Sequence, residues 1–168
     1  IILFGEHAVV YGRPALAVPV SQVQAMCTIQ SGILKQGILI VAEDLDAQYL
    51  VTDAITENPL CTAVQITLNG LHQATWSDDL TLTIRSSIPI ACGLGSGAAV
   101  STAIVRALAQ YYDHRLTPQM ISDLVYQVEK LHHGTPSGID NTVVAYNQPV
   151  FFQHGQPTVP FQVEKPLT

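Results

Sequence analysis

Apolar residues along this chain keep two different rhythms. In "LTLTIRSSIPI", Leu80 to Ile90, apolar and polar positions alternate as they do in a half-buried strand. From Gly97 to Tyr112, and again from Pro118 to about His133, apolar positions recur at the three- and four-residue spacing of an amphipathic helix. The second of these helices has clear ends. Thr117 offers a side-chain cap, Pro118 occupies the first helical position, and Gly134, Thr135 and Pro136 stop the run. A further short helix is expected from Ser137, followed by a strand around "PVFFQ". Upstream, "IILFGEHAVVYGRPALAVPV" predicts strands joined by tight turns, with a break at Gly5 to His7. "QAMCTIQSG" and "GILIVAED" predict a hairpin, and "NPLCTAVQITLNGLHQATW" predicts a helix opened by a proline. Strands first and helices later imply an α+β domain, with helices on one face of a largely antiparallel sheet.

Composition narrows the class. A chain of 168 residues buries one substantial core, so it reads as one domain or a large piece of one. Charged residues are 12% and apolar ones 48%, about half the usual charged share, which implies an apolar surface meant to be covered. No apolar run approaches the roughly 18 residues of a membrane span, and Glu6 and His7 interrupt the apolar start, which points away from an anchor or signal peptide. A net charge of −6, with seven scattered Lys and Arg, argues against a nucleic-acid surface. Cys27, Cys61 and Cys92 are odd in number and form no CxxC pair, as expected of reduced thiols in a cytoplasmic protein, where they serve as small buried hydrophobes.

Candidate chemistry sits in two places. In "IPIACGLGSGAAVSTAIVRAL", Gly93, Gly95 and Gly97 let a ligand approach the main chain at the mouth of a helix. The unpaired amides and positive dipole end of that helix favour an anion such as phosphate. A tight strand-to-helix turn alone would also use these glycines, and the spacing matches neither a P-loop nor a dinucleotide fingerprint. The second place is "VEKLHHGTPSGIDN". Glu129 lies near a helix C-terminus, where the dipole disfavours it; it can be a Mg²⁺ ligand or a surface carboxylate paired with Lys130 or Lys165. Asp140, three residues after Ser137, can belong to a capping box or can take a proton from a nucleophilic hydroxyl. His133 shares the helix face of Glu129 and His132 points about 100 degrees away, too few ligands for a zinc site.

"LFGEHAVVYG", "IPIACGLGSGAAVS" and "EKLHHGTPSGIDN", in that order, resemble the GHMP kinase superfamily, and within it the mevalonate kinases. The resemblance implies the N-terminal domain fold of those enzymes, related to domain 2 of ribosomal protein S5. It also implies transfer of the γ-phosphoryl group of ATP to the C5 hydroxyl of mevalonate, an early step of isoprenoid synthesis. On the family's pattern, Gly93, Leu94, Gly95, Ser96, Gly97 and Ala98 cradle the ATP phosphates. Glu129 and Ser96 ligate Mg²⁺, Asp140 is the catalytic base, and Glu6, His7 and Ser137 contact mevalonate. The partners implied are ATP and a small-molecule substrate, with neither nucleic acid nor membrane, and a homodimer is left open.

Three departures stand out. Gly97 occupies the place where many relatives carry a second serine credited with binding magnesium. The family's lysine just before the segment that starts at Ile1, and a second domain with another glycine-rich motif, are expected to lie outside residues 1–168. The chain alone is accordingly expected to be an incomplete ATP-binding domain without activity. Two other readings share these residues: another kinase of the superfamily, acting on phosphomevalonate or homoserine, and a non-catalytic sensor that binds nucleotide.

Overall fold

A computed structural model describes residues 1–32, 37–54, 56–72, 79–89 and 93–162. Cys92, Lys165 and the His133 side chain, all singled out in the sequence, lie outside the described residues and side chains.

The larger of two hydrophobic layers is built on β3 (Ala25–Ser31), β4 (Ile38–Ala42), β5 (Ala47–Val51) and β6 (Leu80–Ser86), in the order β3-β6-β4-β5. The alternation in β6 turns Leu80, Leu82 and Ile84 to one face, level with Ile38, Ile40 and Ala42 of β4. Helices α2 (Pro59–Gly70), α3 (Ser96–Tyr111) and α4 (Pro118–His133) cover that face, with Val64, Leu68, Ile104, Leu108 and Val128 in the shared core. Helices on one face of a mainly antiparallel sheet is therefore the observed arrangement; the β4–β6 pair alone runs parallel among the described strands.

The expected hairpin between β3 and β4 does not form. β6 inserts between them, antiparallel to β3 (Thr28 opposite Thr83, Ile29 opposite Leu82) and parallel to β4. A parallel neighbour requires a crossover, and β5 with α2 supplies it. β4 finds its antiparallel partner in β5, through a short 3₁₀ turn at Glu43–Leu45. An Arg85–Glu43 ion pair and the Ser86 amide on the Asp44 carboxylate tie that turn back to the end of β6, and the ion pair holds the Glu43 carboxyl below its ordinary range.

A second sheet has the order β1 (Ile2–Phe4), β2 (Ala15–Ala17), β7 (Val150–Phe152) and β8 (Val159–Pro160). Its core, with Val9, Ala17, Val150 and Phe152, closes on Ile139 and Val143 of α5 (Ile139–Tyr146). Between β1 and β2, where tight turns alone were expected, residues Glu6–Val9 form one helical turn, α1, behind a left-handed Gly5. A third cluster, Ala98, Val105, Ile121, Val125 and Ala145, joins α3, α4 and α5. The start of α3 is thus held where the two layers meet.

The helix ends follow their local chemistry. The Asn58 side chain accepts the amides of Leu60 and Cys61 ahead of Pro59, and the Thr117 hydroxyl accepts that of Met120 at 3.2 Å ahead of Pro118. Burial pushes the Cys27 thiol up to about 12 and raises that of Cys61, consistent with both acting as small hydrophobes. No helix among the described residues is long and apolar enough to cross a membrane.

Candidate active site

The glycine loop enters α3 through Gly95, whose left-handed backbone (φ +66°) forms the cap, with Gly93 also left-handed. The first bond of the helix is from the Ala99 amide to the Gly95 carbonyl, 3.0 Å. The amides of Ser96, Gly97 and Ala98 precede it and face the loop, the arrangement that suits an anion. Ala98 anchors this end: its side chain is buried in the third cluster, so only its backbone is available to a ligand.

Two carboxylates close on the loop from different helices. A Cβ placed on Gly95 would stand 3.6 Å from the Asp140 carboxyl, and one placed on Gly97 would stand 3.3 Å from Glu129 Oε1. The two glycines therefore do different work. Gly95 supplies a turn that side chains disfavour, whereas Gly97 is helical and leaves room for Glu129. A serine there would crowd that carboxylate, which gives a steric reason for glycine at this place.

Loop and carboxylates line a cleft of about 340 Å³, together with Ser137. Glu129 also borders a second cleft, of about 590 Å³, walled by Leu60, Ile84, Val100 and Val128 and by His132, whose Nε2 is buried without a hydrogen-bond partner among the described residues. Asp140 borders a third, of about 570 Å³, with Leu94, Gly95, Gln24, Thr102 and Arg106. The loop cleft shares Ser96, Gly97 and Glu129 with the apolar one and Leu94, Gly95 and Asp140 with the third, so the loop lies between the two.

Asp140 is the second residue of α5, whose cap is the left-handed Gly138 (φ +86°). The capping box, the alternative reading of Ser137 and Asp140, is not formed. Ser137 lies one residue too early to be the cap, and its hydroxyl accepts the Ile139 amide at a long 3.4 Å. Among the described residues no hydrogen bond engages the Asp140 carboxyl, which is open to the cleft. Desolvation pushes its pKa above the ordinary carboxylate range, and the Glu6 carboxylate adds to the rise. Glu6 thus acts electrostatically on Asp140, but both Glu6 and His7 are exposed and line none of these clefts. Lys130, one of the expected partners of Glu129, has its ammonium 5.8 Å from the Tyr126 ring.

The structure adds residues that the motifs did not reveal. Asn141 Nδ2 donates to the Ser122 carbonyl at 3.0 Å and to the Ser122 hydroxyl at 2.9 Å, across the α4–α5 contact. The signal was present as a polar Ser122 beside Ile121 on the apolar face of α4, but no sequence rule names its partner. Among the described residues there is no cluster of three or more His, Cys, Asp or Glu able to hold a metal. A cation at this loop would therefore draw most of its ligands from a phosphate-bearing molecule.

Comparison with known proteins places these features. The chain is 34% identical over 165 residues to a mevalonate kinase of Thermococcus sibiricus, covering 92% of this chain and 50% of that protein. The crystal structure of Methanococcus jannaschii mevalonate kinase superposes with a TM-score of 0.85 at 26% identity, over 98% of this chain and 54% of that one. That of L. major mevalonate kinase in complex with R-mevalonate superposes with a TM-score of 0.69 at 27% identity, over 94% and 48%. The chain spans about half the length of the relatives it matches. Residues 60–148, just over half of the chain and including the loop, Glu129 and Asp140, match the family described as GHMP kinases N terminal domain, and the chain belongs to that family.

Proposed function

We propose that this chain forms the nucleotide-binding and proton-accepting part of a mevalonate kinase, which transfers the γ-phosphoryl group of ATP to the C5 hydroxyl of mevalonate. One observation carries the reading: Glu129 and Asp140 approach the same loop at Gly97 and Gly95, each on the boundary with a different neighbouring cleft. A nucleotide then has one orientation. Its base enters the apolar cleft past Glu129, its phosphates meet the amides of Ser96, Gly97 and Ala98, and its terminal phosphorus faces Asp140. The acceptor alcohol lies beyond, in the cleft that Asp140 shares with Leu94 and Gly95.

In that arrangement Asp140 accepts the hydroxyl proton as the alcohol oxygen bonds to the γ-phosphorus. The bond from that phosphorus to the β,γ-bridging oxygen breaks, and ADP leaves. A carboxylate with a raised pKa is the better proton acceptor, and positioning supplies much of the remaining rate. Glu129 and the Ser96 hydroxyl are hard oxygen donors on the phosphate cleft and fit Mg²⁺, which takes one or two carboxylates plus phosphate oxygens. That ion would neutralise charge on the phosphates. Glu6 and His7 are proposed to contact the acceptor, with Glu6 supported by its effect on Asp140, and Ser137 to reach it from the rim of the phosphate cleft beside Asp140.

The test is coupled ADP release by the full-length protein with mevalonate, phosphomevalonate and homoserine offered separately. Turnover with mevalonate alone is expected, giving 5-phosphomevalonate. Turnover with another of these alcohols reassigns the acceptor, and ATP binding without turnover supports a sensor.

A further inference from the structure

Asp140 is carried on a helix of eight residues, too short to hold a position on its own. What fixes it against the loop is a buried chain of hydrogen bonds. Ser122, Asn141 and Thr142 are at most 3% exposed, yet all three are polar. Asn141 Nδ2 reaches the carbonyl and the hydroxyl of Ser122; the Ser122 and Thr142 hydroxyls are 3.1 Å apart; the Thr142 hydroxyl reaches the Gly138 carbonyl at 2.6 Å.

The donors can be assigned without seeing hydrogens. Gly138 offers a carbonyl, so Thr142 must spend its only proton there. Thr142 therefore accepts from Ser122, and Ser122 in turn accepts from Asn141, whose amide must present nitrogen because oxygen would face the Ser122 carbonyl. All these bonds point one way, from Asn141 through Ser122 and Thr142 to Gly138. They bracket Asp140, with Gly138 two residues before it and Asn141 one after it. Their anchor, Ser122, lies seven residues before Glu129, about two turns along the same face of α4.

We propose that Asn141, Ser122 and Thr142 are positioning residues that set Asp140 at a fixed separation from Glu129 across the loop. The inference rests on the role assigned above to Asp140. A loose Asp140 would still leave the nucleotide bound when Ser122 or Thr142 is altered, because these two line none of the three clefts, whereas Asn141 and Gly138 border the phosphate cleft; it would fail to meet the acceptor hydroxyl.

The test is a cycle in the full-length protein, using Ser122→Ala, Asp140→Asn and the double variant, with Thr142→Val and Thr142→Ser alongside. Ser122→Ala and Thr142→Val are expected to lower kcat about tenfold with KM for ATP within about twofold, and Thr142→Ser to recover most of the rate. In the Asp140→Asn background, Ser122→Ala should change the residual rate by no more than about twofold, because the group it positions is already disabled. An ATP-analogue Kd matching the parent identifies variants that remain folded. Parent-like kcat in Ser122→Ala with a slow Asp140→Asn overturns the positioning role alone, as does an equal loss in both backgrounds. Parent-like kcat in Asp140→Asn overturns the assignment of Asp140 and this inference with it.

Discussion

Two glycine-punctuated segments were expected to contribute to one site, and the fold treats them differently. Around the loop, Ser96, Glu129 and Asp140 stand on helices whose other face is buried. Ala98 sits in the cluster behind α3, Val128 beside Glu129 lies in the main core, and Ile139 beside Asp140 lies in the core of the second sheet. In the segment from Ile1 to Arg13, Val9 is buried while Phe4, Glu6, His7, Val10 and Tyr11 are exposed. The loop region has its geometry set by local packing. In the N-terminal segment Glu6 and His7 line none of the clefts at the loop, and the influence of Glu6 on Asp140 is one of charge. On the proposed function, catalytic precision would belong with the packed half of the site, and the N-terminal half would tune it.

Paired glycine substitutions give the largest expected contrast. Gly95 and Gly12 are both left-handed, but a Cβ on Gly95 meets Asp140 whereas one on Gly12 meets nothing within 4 Å. Gly12→Ala should cost about 1–2 kcal/mol of stability, the backbone penalty alone, with kcat/KM retained. Gly95→Val adds branching against Asp140 at the phosphate loop, and a fall in kcat/KM of at least about 100-fold is expected from misplacing the reacting groups. Equal effects on kcat/KM at the two sites would erase the distinction between the regions.

Glu129→Gln is expected to have an intermediate effect. A carboxylate that contributes to the cation site should, once neutralised, raise the Mg²⁺ concentration for half-maximal rate about tenfold. Overlapping magnesium titrations for parent and variant would return Glu129 to a structural role against Gly97.

Glu6→Gln gives the smallest and most diagnostic shift. The Glu6 carboxylate helps hold the Asp140 pKa up, so neutralising it should lower that pKa and move the acid limb of kcat/KM to lower pH. The sign follows from Asp140 having to be ionised to accept a proton. The parent's acid limb should itself lie above the ordinary carboxylate range. An unmoved limb would show that Glu6 and Asp140 are not coupled.

What the sequence made legible was local. The start of α4 could be read because Thr117 and Pro118 act on amides within one turn, and the structure has that helix from Pro118 to His133. That Glu129, Asp140 and the loop share one cleft could be anticipated because each sits in an unbroken motif. The hairpin between β3 and β4 was misread because two apolar strands in succession say nothing of a third, β6, that outcompetes them through a crossover. The single turn α1 was too short for periodicity to announce. The Asn141–Ser122 bond joins residues 19 apart on different helices, and neither residue alone suggests the other.

The central claim is that Asp140 acts on the acceptor alcohol rather than on the nucleotide. The most direct measurement is kcat together with ATP-analogue affinity for Asp140→Asn in the full-length protein, with saturating mevalonate. A fall in kcat of about 100-fold or more is predicted, on the scale of a lost general base, with the analogue Kd within about twofold of the parent. Retained turnover, or a loss of nucleotide affinity that accounts for the whole effect, would contradict it.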